Sequence, residues 1–163
     1  AQQIDYSYFY YVGQQKLLAR AGDSIRVAGD VAGRRVSTIK GSTSELAVRE
    51  SVPTAQTVTF QDAPSAFLAL QQRRVAAFGA SEIMLVRFRA QLPEGTLTIL
   101  EPSLMREPWG IGVRRGEARL LAAVNEALTG MEQSGEAASI FDRWLGASSA
   151  YHMTREFRIE PRG

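Results

Sequence analysis

Strand-like and helix-like segments alternate through the middle of the chain, and this alternation constrains the fold more than any other feature of the sequence. The strands are predicted from short apolar runs, and each of the first three is followed by a helical stretch. Four predicted strands cover residues 35–39, 57–60, 75–78 and 96–100. Alternation of this kind predicts an α/β fold with a mostly parallel sheet and helices on both of its faces.

Three turns lie at the carboxyl ends of these predicted strands. They are at Gly41, at residues 61–62 and at residues 79–81. Open parallel sheets bind their ligands outside the carboxyl ends of the strands, so these turns are the first places to look for a binding site.

The same turns carry residues that typically cap helices. Ser42 followed by Glu45 matches a capping box, which predicts a helix over residues 43–50. Asp62 and Ser81 are the predicted caps of the next two helices. A helix beginning therefore follows each of the three strand ends.

The flanking regions have a different character from the alternating region. They predict two strands and two amphipathic helices, over residues 4–12, 107–113, 117–133 and 136–145. Leu120, Val124 and Leu128 share one apolar stripe of the first of these helices. Beyond Gly146 the tail is irregular, although residues 156–159 alternate like a strand.

The composition excludes several classes of protein. Hydrophobic residues are 45% and charged residues 22% of the 163-residue chain, which is typical of a globular domain and not of a disordered or coiled-coil protein. The absence of cysteine excludes disulfide scaffolds and thiolate metal sites. A net charge of +2 without a basic tract does not favour nucleic acid, and no apolar run reaches the roughly 18 residues of a membrane span.

No catalytic or metal-binding pattern emerges from the sequence. His152 is the sole histidine and has no evident carboxylate partner. The phosphate loop, the nucleophile elbow and the zinc-protease signature are absent, and Gly110-Ile111-Gly112 is too short for a dinucleotide fingerprint. We therefore expect a protein that is not an enzyme and that holds neither a cofactor nor a metal.

The turn from Lys40 to Glu45 is the strongest candidate for a binding site. It follows a strand and opens a helix, so free backbone N–H groups and the positive end of the helix dipole converge there. Such a place suits an anion such as a carboxylate. A plain helix cap explains the same residues, and from the residues alone both interpretations remain open.

Four further segments carry recognisable motifs, one before this turn in the chain and three after it. They cover residues 5–18, 66–78, 109–116 and 134–145. They contain the runs Ala66-Phe67-Leu68-Ala69-Leu70, Trp109-Gly110-Ile111-Gly112-Val113 and Phe141-Asp142-Arg143-Trp144-Leu145. Together the five segments resemble the extracytoplasmic solute-binding proteins of ABC importers for polar amino acids, known as family 3. The ending beyond the last segment is most like the glutamate/aspartate branch of that family.

This resemblance implies a type II periplasmic-binding-protein fold, in which two lobes close around a ligand. Residues 1–21 would be the hinge-entry strands and residues 22–105 the second, ligand-binding lobe. Residues 106–146 would be the returning hinge strand with the C-terminal helices, and residues 147–163 the tail. The resemblance also implies that most of the first lobe is absent from this chain. The C-terminal helices would then expose the Leu120 stripe, which favours self-association.

Carried over residue by residue, the resemblance implies a ligand site of seven residues. Thr43 would meet the α-carboxylate of the ligand through its amide and hydroxyl, with Ser42 and Ser44 beside it. Ser81 departs from the family, which has an aspartate there for the α-ammonium. Losing that charged hydrogen bond weakens binding by roughly 1.5–3 kcal/mol, or about ten- to a hundredfold. The remaining positions are Ile39, Asp62 and Ala63.

The resemblance thus favours binding of a small anionic, amino-acid-like solute of the glutamate/aspartate type in the periplasm, with the membrane permease of an ABC importer as partner. A dicarboxylate without the ammonium is an alternative ligand because of Ser81. Two alternative functions stay open. One is a ligand-binding sensor module of a signalling receptor. The other is a dehydratase of the cyclohexadienyl type on the same fold, for which Glu82 is the one candidate general acid.

Overall fold

The computed structural model describes residues 3–161, which divide into two compact units. The larger unit is the continuous segment Gln14–Glu107, and the smaller combines the residues up to Gly13 with those from Pro108 onward. The outermost residues of the predicted 1–21 and 147–163 segments lie outside the described range. Assignment of the predicted segments to lobes stays a prediction.

Strands and helices alternate along the described residues much as the sequence predicts. The strands are β1 (Ile4–Arg20), β2 (Arg35–Ile39), β3 (Gln56–Phe60), β4 (Ala77–Ser81), β5 (Leu97–Ile99) and β6 (Met105–Arg114). The α-helices are α1 (Thr43–Ser51), α2 (Ala63–Gln71), α3 (Glu82–Arg89), α4 (Ala118–Gln133) and α5 (Glu136–Trp144). A short 3₁₀ helix covers Ala28–Val31.

The sheet of the larger unit has the order β3-β2-β4-β1-β5. β2 runs parallel to both β3 and β4, whereas β1 runs antiparallel to both β4 and β5. Four of these five strands therefore point in one direction, and β1 opposes them. The predicted α/β class with mostly parallel strands is confirmed, and the carboxyl ends of β2 and β4 lie at the same edge of the sheet.

Apolar side chains of the larger unit pack on both faces of this sheet, because successive strand residues point to opposite sides. Leu17 packs with Val48 of α1 on one side, which we call the α1 face. Leu18 packs with Phe67 of α2 and Leu85 of α3 on the other side, which we call the α2–α3 face. Helices thus cover both faces of the sheet, as predicted.

Three strand predictions differ from the structure. The first strand runs from Ile4 to Arg20, whereas the sequence predicts residues 4–12. The third strand of the alternating region begins at Ala77 and runs to Ser81, whereas the sequence predicts residues 75–78. The chain is still leaving the end of α2 at Arg74, whose amide bonds the carbonyl of Ala69, so Val75 reaches the core from a turn. The predicted turn at residues 79–81 consequently lies inside β4. Residues 156–159 form no strand.

The smaller unit is built from the first part of β1, from the part of β6 that follows Glu107 and from the two C-terminal helices. β1 pairs with β6, and the Ser7 hydroxyl accepts a hydrogen bond from the amide of Ile111 at 2.9 Å. The amide of Tyr8 donates to Asn125 of α4 at 2.8 Å. Aromatic rings of this unit meet edge to face or tilted; they are Tyr11, Trp109, Phe141 and Phe157.

The apolar stripe of α4 is only partly exposed. Leu120 is 52% exposed, but Leu128 is buried and Val124 is half-buried. The expectation that the stripe is exposed along its length is therefore wrong at Leu128, where α4 packs within the smaller unit. Self-association through these helices stays a prediction.

Candidate ligand-binding site

The start of α1 is closed by a serine cap. The Ser42 hydroxyl accepts a hydrogen bond from the amide of Glu45 at 3.2 Å and donates to the carbonyl of Ile39 at 2.6 Å. The Glu45 carboxylate accepts from the amide of Gly41 at 2.8 Å, and this bond, with that from Arg49, lowers the pKa of Glu45. The cap forms where the sequence predicts it, although Glu45 bonds Gly41 in place of the cap residue's own amide.

Two backbone donors remain unused at this helix start. The amides of Thr43 and Ser44 are among the first N–H groups of α1, which no turn of the helix can satisfy. Within the described residues, neither of these two N–H groups donates a hydrogen bond. Ser44 itself is buried, and its hydroxyl lies 2.8 Å from the Ser42 hydroxyl. Both amides lie at the positive end of the helix dipole, which attracts an anion.

A carboxylate that the sequence did not single out lies beside these amides. The Thr43 hydroxyl donates to one oxygen of Glu107 at 2.7 Å, and the Gln15 side-chain amide donates to the other at 2.8 Å. Gln15 is only 3% exposed. The signal available in the sequence was Gln14-Gln15-Lys16, three consecutive polar residues directly before the apolar run of residues 17–19.

Ser81 lies on the same face of the sheet as these groups. It is the strand residue directly opposite Gln15 in the β1–β4 pair, and directly opposed residues of a sheet share a face. Ser81 occupies the cap position of α3, but its hydroxyl makes no cap hydrogen bond. The prediction that Ser81 caps this helix through its side chain is therefore wrong, since only its backbone takes the cap conformation.

The other predicted site residues are placed less closely together. Ile39 ends β2, directly before the α1 turn, and its carbonyl accepts from Ser42. Asp62 caps α2 by accepting from the Ser65 amide at 2.8 Å, and hydrogen bonds from the amide and hydroxyl of Ser65 lower the pKa of Asp62. Ala63 packs against the α2–α3 face. No hydrogen bond among the described residues joins Asp62 to the α1 turn.

Lys16, the neighbour of Gln15 on β1, is engaged elsewhere. Its ammonium pairs with Glu82 at 2.8 Å and also with Glu101. Lys16 has the same strand parity as Leu18, so it belongs to the α2–α3 face. The carboxylate of Glu82 is thus held in an ion pair away from the α1 turn.

The smaller unit carries a recess of its own. It has a volume of about 550 Å³. The residues that line it are Tyr6, Phe9, Tyr10, Pro108, Trp109 and Gly110. None of the predicted site residues contributes to it.

The family of the chain follows from comparison with known proteins. The model of the bacterial extracellular solute-binding proteins, family 3, matches residues 1–147. The chain belongs to this family. The prediction made from the five segments is therefore confirmed, and so is the type II periplasmic-binding-protein fold.

Relatives of this family 3 chain carry names for several amino acids. It is 28% identical over 145 residues to the ABC transporter glutamine-binding protein GlnH of Bacillus subtilis (strain 168), a match covering 88% of the chain and 52% of that protein. It is 26% identical over 150 residues to the L-glutamate/L-aspartate-binding protein of Pseudomonas aeruginosa, covering 88% and 49%. The chain thus spans about half the length of these relatives.

A solved structure resembles the chain over a similar range. An ancestral arginine-binding protein bound to glutamine matches with a TM-score of 0.73 and 31% identity, over 88% of this chain and 64% of that one. Because the relatives are named for different amino acids, the glutamate/aspartate branch stays a prediction. Among residues 3–161, no helix is long and apolar enough to cross a membrane.

Proposed function

We propose that the protein carrying this chain is an extracytoplasmic binding protein that captures a free amino acid and delivers it to the permease of an ABC importer. The observation that carries the proposal is the start of α1, where the unused amides of Thr43 and Ser44 accompany the Thr43 hydroxyl at the carboxyl end of β2. The family and the names of the relatives support the same function.

The chemistry of this helix start fits the carboxylate of an amino acid. The two adjacent N–H groups can each donate to one carboxylate oxygen, and charge-assisted bonds of this kind are stronger than neutral ones. The Thr43 hydroxyl donates its single hydrogen to Glu107 and so holds that side chain beside the two amides. The helix dipole adds a favourable interaction with the negative charge. The turn would bind the part that all amino acids share, so other residues must distinguish the side chains.

For the ligand itself, we propose glutamate or aspartate first. A relative named for these two acids supports this choice, while a relative named for glutamine makes glutamine the main competitor. The predicted ligand contacts are Ile39, Ser42, Thr43, Ser44, Asp62, Ala63 and Ser81, to which the geometry adds Gln15 and Glu107.

Titration calorimetry on the protein in its full natural length tests the proposal. Glutamate, aspartate, glutamine and arginine are titrated separately, and we expect saturable binding of at least one. Thr43→Val keeps the shape and removes the hydroxyl that holds Glu107 beside the amides, so it should weaken that binding by about tenfold. Thr43→Ser keeps the hydroxyl and should bind within about threefold of the wild type, since the donor is retained.

Two results would contradict the proposal. The first is a folded protein that gives no binding heat with any of the four amino acids. The second is equal affinity of wild type and Thr43→Val, which would show that the Thr43 side chain at the α1 turn does not contribute to the site.

A further inference from the structure

Glu107 holds a negative charge at the start of α1 by means of two neutral side chains. The Thr43 hydroxyl and the Gln15 amide each donate to one oxygen of its carboxylate, at 2.7 and 2.8 Å. Gln15 is 3% exposed, so the group that anchors Glu107 is nearly closed to water. A carboxylate has about four acceptor positions, so these two bonds leave Glu107 able to accept more. Neither bond cancels its charge.

The nearest cation along β1 does not belong to this group of residues. Lys16 lies on the α2–α3 face, where Glu82 and Glu101 take its ammonium. Gln15 has the parity of Leu17 and lies on the α1 face, together with Ser81 opposite it. The α1 face therefore combines the Glu107 carboxylate with the hydroxyls of Thr43 and Ser81.

The site therefore favours an anionic group at one position and a cationic group at another. The unused amides of Thr43 and Ser44 favour an anionic group, whereas Glu107 repels one and favours a cation. A plain acid satisfies only the amides and brings like charges together. A zwitterion satisfies both, because its ammonium and carboxylate are attached to the same carbon atom.

We propose that Glu107 receives the ammonium group of the ligand and thereby makes the site selective for α-amino acids over acids without an ammonium. The inference rests on the proposed function, since it concerns the same ligand. Glu107, on β6, supplies the negative charge that Ser81 lacks. It also makes the dicarboxylate alternative unfavourable.

The test compares glutamate with glutarate, which is the same acid without its amino group. If glutamine is the ligand found, the pair is glutamine and glutaramate. Calorimetry on the wild type should show the amino acid binding at least about tenfold more tightly than its counterpart. This comparison needs no variant and is independent of any folding defect.

Variants then assign the preference to one residue. Glu107→Gln should weaken binding of the amino acid by about ten- to a hundredfold. The affinity for the acid without an amino group should stay the same or increase. Glu94→Gln is the matched control, because Glu94 is exposed in the loop after α3, and it should bind like the wild type. Ser81→Asp added to Glu107→Gln should recover part of the amino-acid affinity, since it restores a carboxylate on the same face. A thermal melt of each variant checks that it folds.

The outcomes separate this inference from the proposed function. Equal binding of glutamate and glutarate by the wild type overturns the role of Glu107 alone, as does an equal effect of Glu107→Gln on both ligands. A wild type that binds no amino acid overturns the proposed function, and this inference with it.

Discussion

The ammonium of Lys16 lies 2.8 Å from a carboxylate oxygen of Glu82, where only 4% of the lysine side chain and 16% of the glutamate side chain are exposed. Lys16 is opposite Ala80 in the β1–β4 pair, which places it beside the start of α3. Glu101, which is 66% exposed, supplies a second carboxylate from the solvent side. One buried cation thus links β1 to α3 and to the segment after β5.

Replacing this cation should destabilise the larger unit. Lys16→Met keeps most of the side-chain volume but leaves Glu82 charged in a place with little water. Because Glu82 is 16% exposed, we expect a loss at the low end for a buried pair, about 3 kcal/mol in the free energy of unfolding. Urea denaturation followed by circular dichroism measures it. Lys40→Met is the control, since Lys40 is exposed. Adding Glu82→Gln to Lys16→Met should recover part of the loss; no recovery would contradict this explanation.

The same pair predicts an alkaline limit of stability. Burial lowers the pKa of Lys16, but hydrogen bonds to Glu101 and Glu82 outweigh it, so the pKa lies above the ordinary value of 10.5. The contribution of Lys16 is complete below the pKa of the unfolded chain and is lost as the pH rises through the higher pKa of the folded chain. Wild type should therefore lose stability above about pH 10.5 more steeply than Lys16→Met. Parallel curves for the two proteins would contradict this prediction.

Glu132 should set an acid limit in the smaller unit. Its carboxylate bonds the Arg155 guanidinium, at 3.1 Å for one nitrogen, and the amide of Ile159. The bond from Arg155 is the main reason that the pKa of Glu132 lies below its ordinary value of 4.5, and the Ile159 amide adds to it. A lowered pKa contributes stability above the unfolded value, and this is lost as the pH falls through the folded value.

Glu132→Gln should therefore cost about 1–2 kcal/mol near neutral pH and flatten the stability curve below about pH 4.5. Glu126→Gln, at an exposed position of the same helix, should change little. Urea unfolding at several pH values measures both. If Glu132→Gln and the wild type lose the same stability as the pH falls, the Glu132 carboxylate does not set the acid limit.

Two glycines should respond to alanine with opposite signs. A Cβ at Gly79 of β4 would meet the Val48 side chain at 3.0 Å and the Thr38 side chain at 3.3 Å. Gly79→Ala should therefore destabilise by about 1–3 kcal/mol through overpacking. Gly130 lies inside α4 with nothing within 4 Å of an added Cβ. Gly130→Ala should stabilise by about 0.5–1 kcal/mol, because alanine favours the helix. Thermal melts compare the two, and the same sign for both would contradict the packing argument.

Two serine caps that look alike in the sequence should differ in energy. Ser42→Ala removes an observed cap bond and should cost about 1 kcal/mol. Ser81→Ala removes no cap bond and should change stability by less than about 0.5 kcal/mol. Denaturant titration of the two variants without ligand measures the change in the free energy of unfolding for each. A cost at Ser81 as large as at Ser42 would show that its hydroxyl contributes to folding.

Local signals made much of the fold predictable. The Ser42 and Asp62 caps depend on atoms three residues away, and the structure has both. The alternation of strands and helices also depends on short segments, so the α/β class could be inferred. The start of β4 was misplaced because Val75 is buried like a strand residue while still in a turn.

The composition of the site depends on contacts that no local pattern reveals. Thr43 meets Glu107, which is 64 residues away in sequence, and Gln15 meets the same carboxylate across 92 residues. Their meeting requires β1 to enter the sheet beside β4, and the strand order is a property of the whole unit. The sequence could therefore indicate the helix start of the site, but not the carboxylate beside it.

The Gln15–Glu107 hydrogen bond also joins the two ends of the Gln14–Glu107 unit. The bond joins the second residue of the unit to its last, and a segment whose ends lie this close together needs little added chain to be inserted into a host protein. A short peptide bridge could equally close it into a ring, with new termini opened in any exposed loop. The Gln14–Glu107 segment contains the α1 turn, Ser81 and the Glu107 carboxylate together.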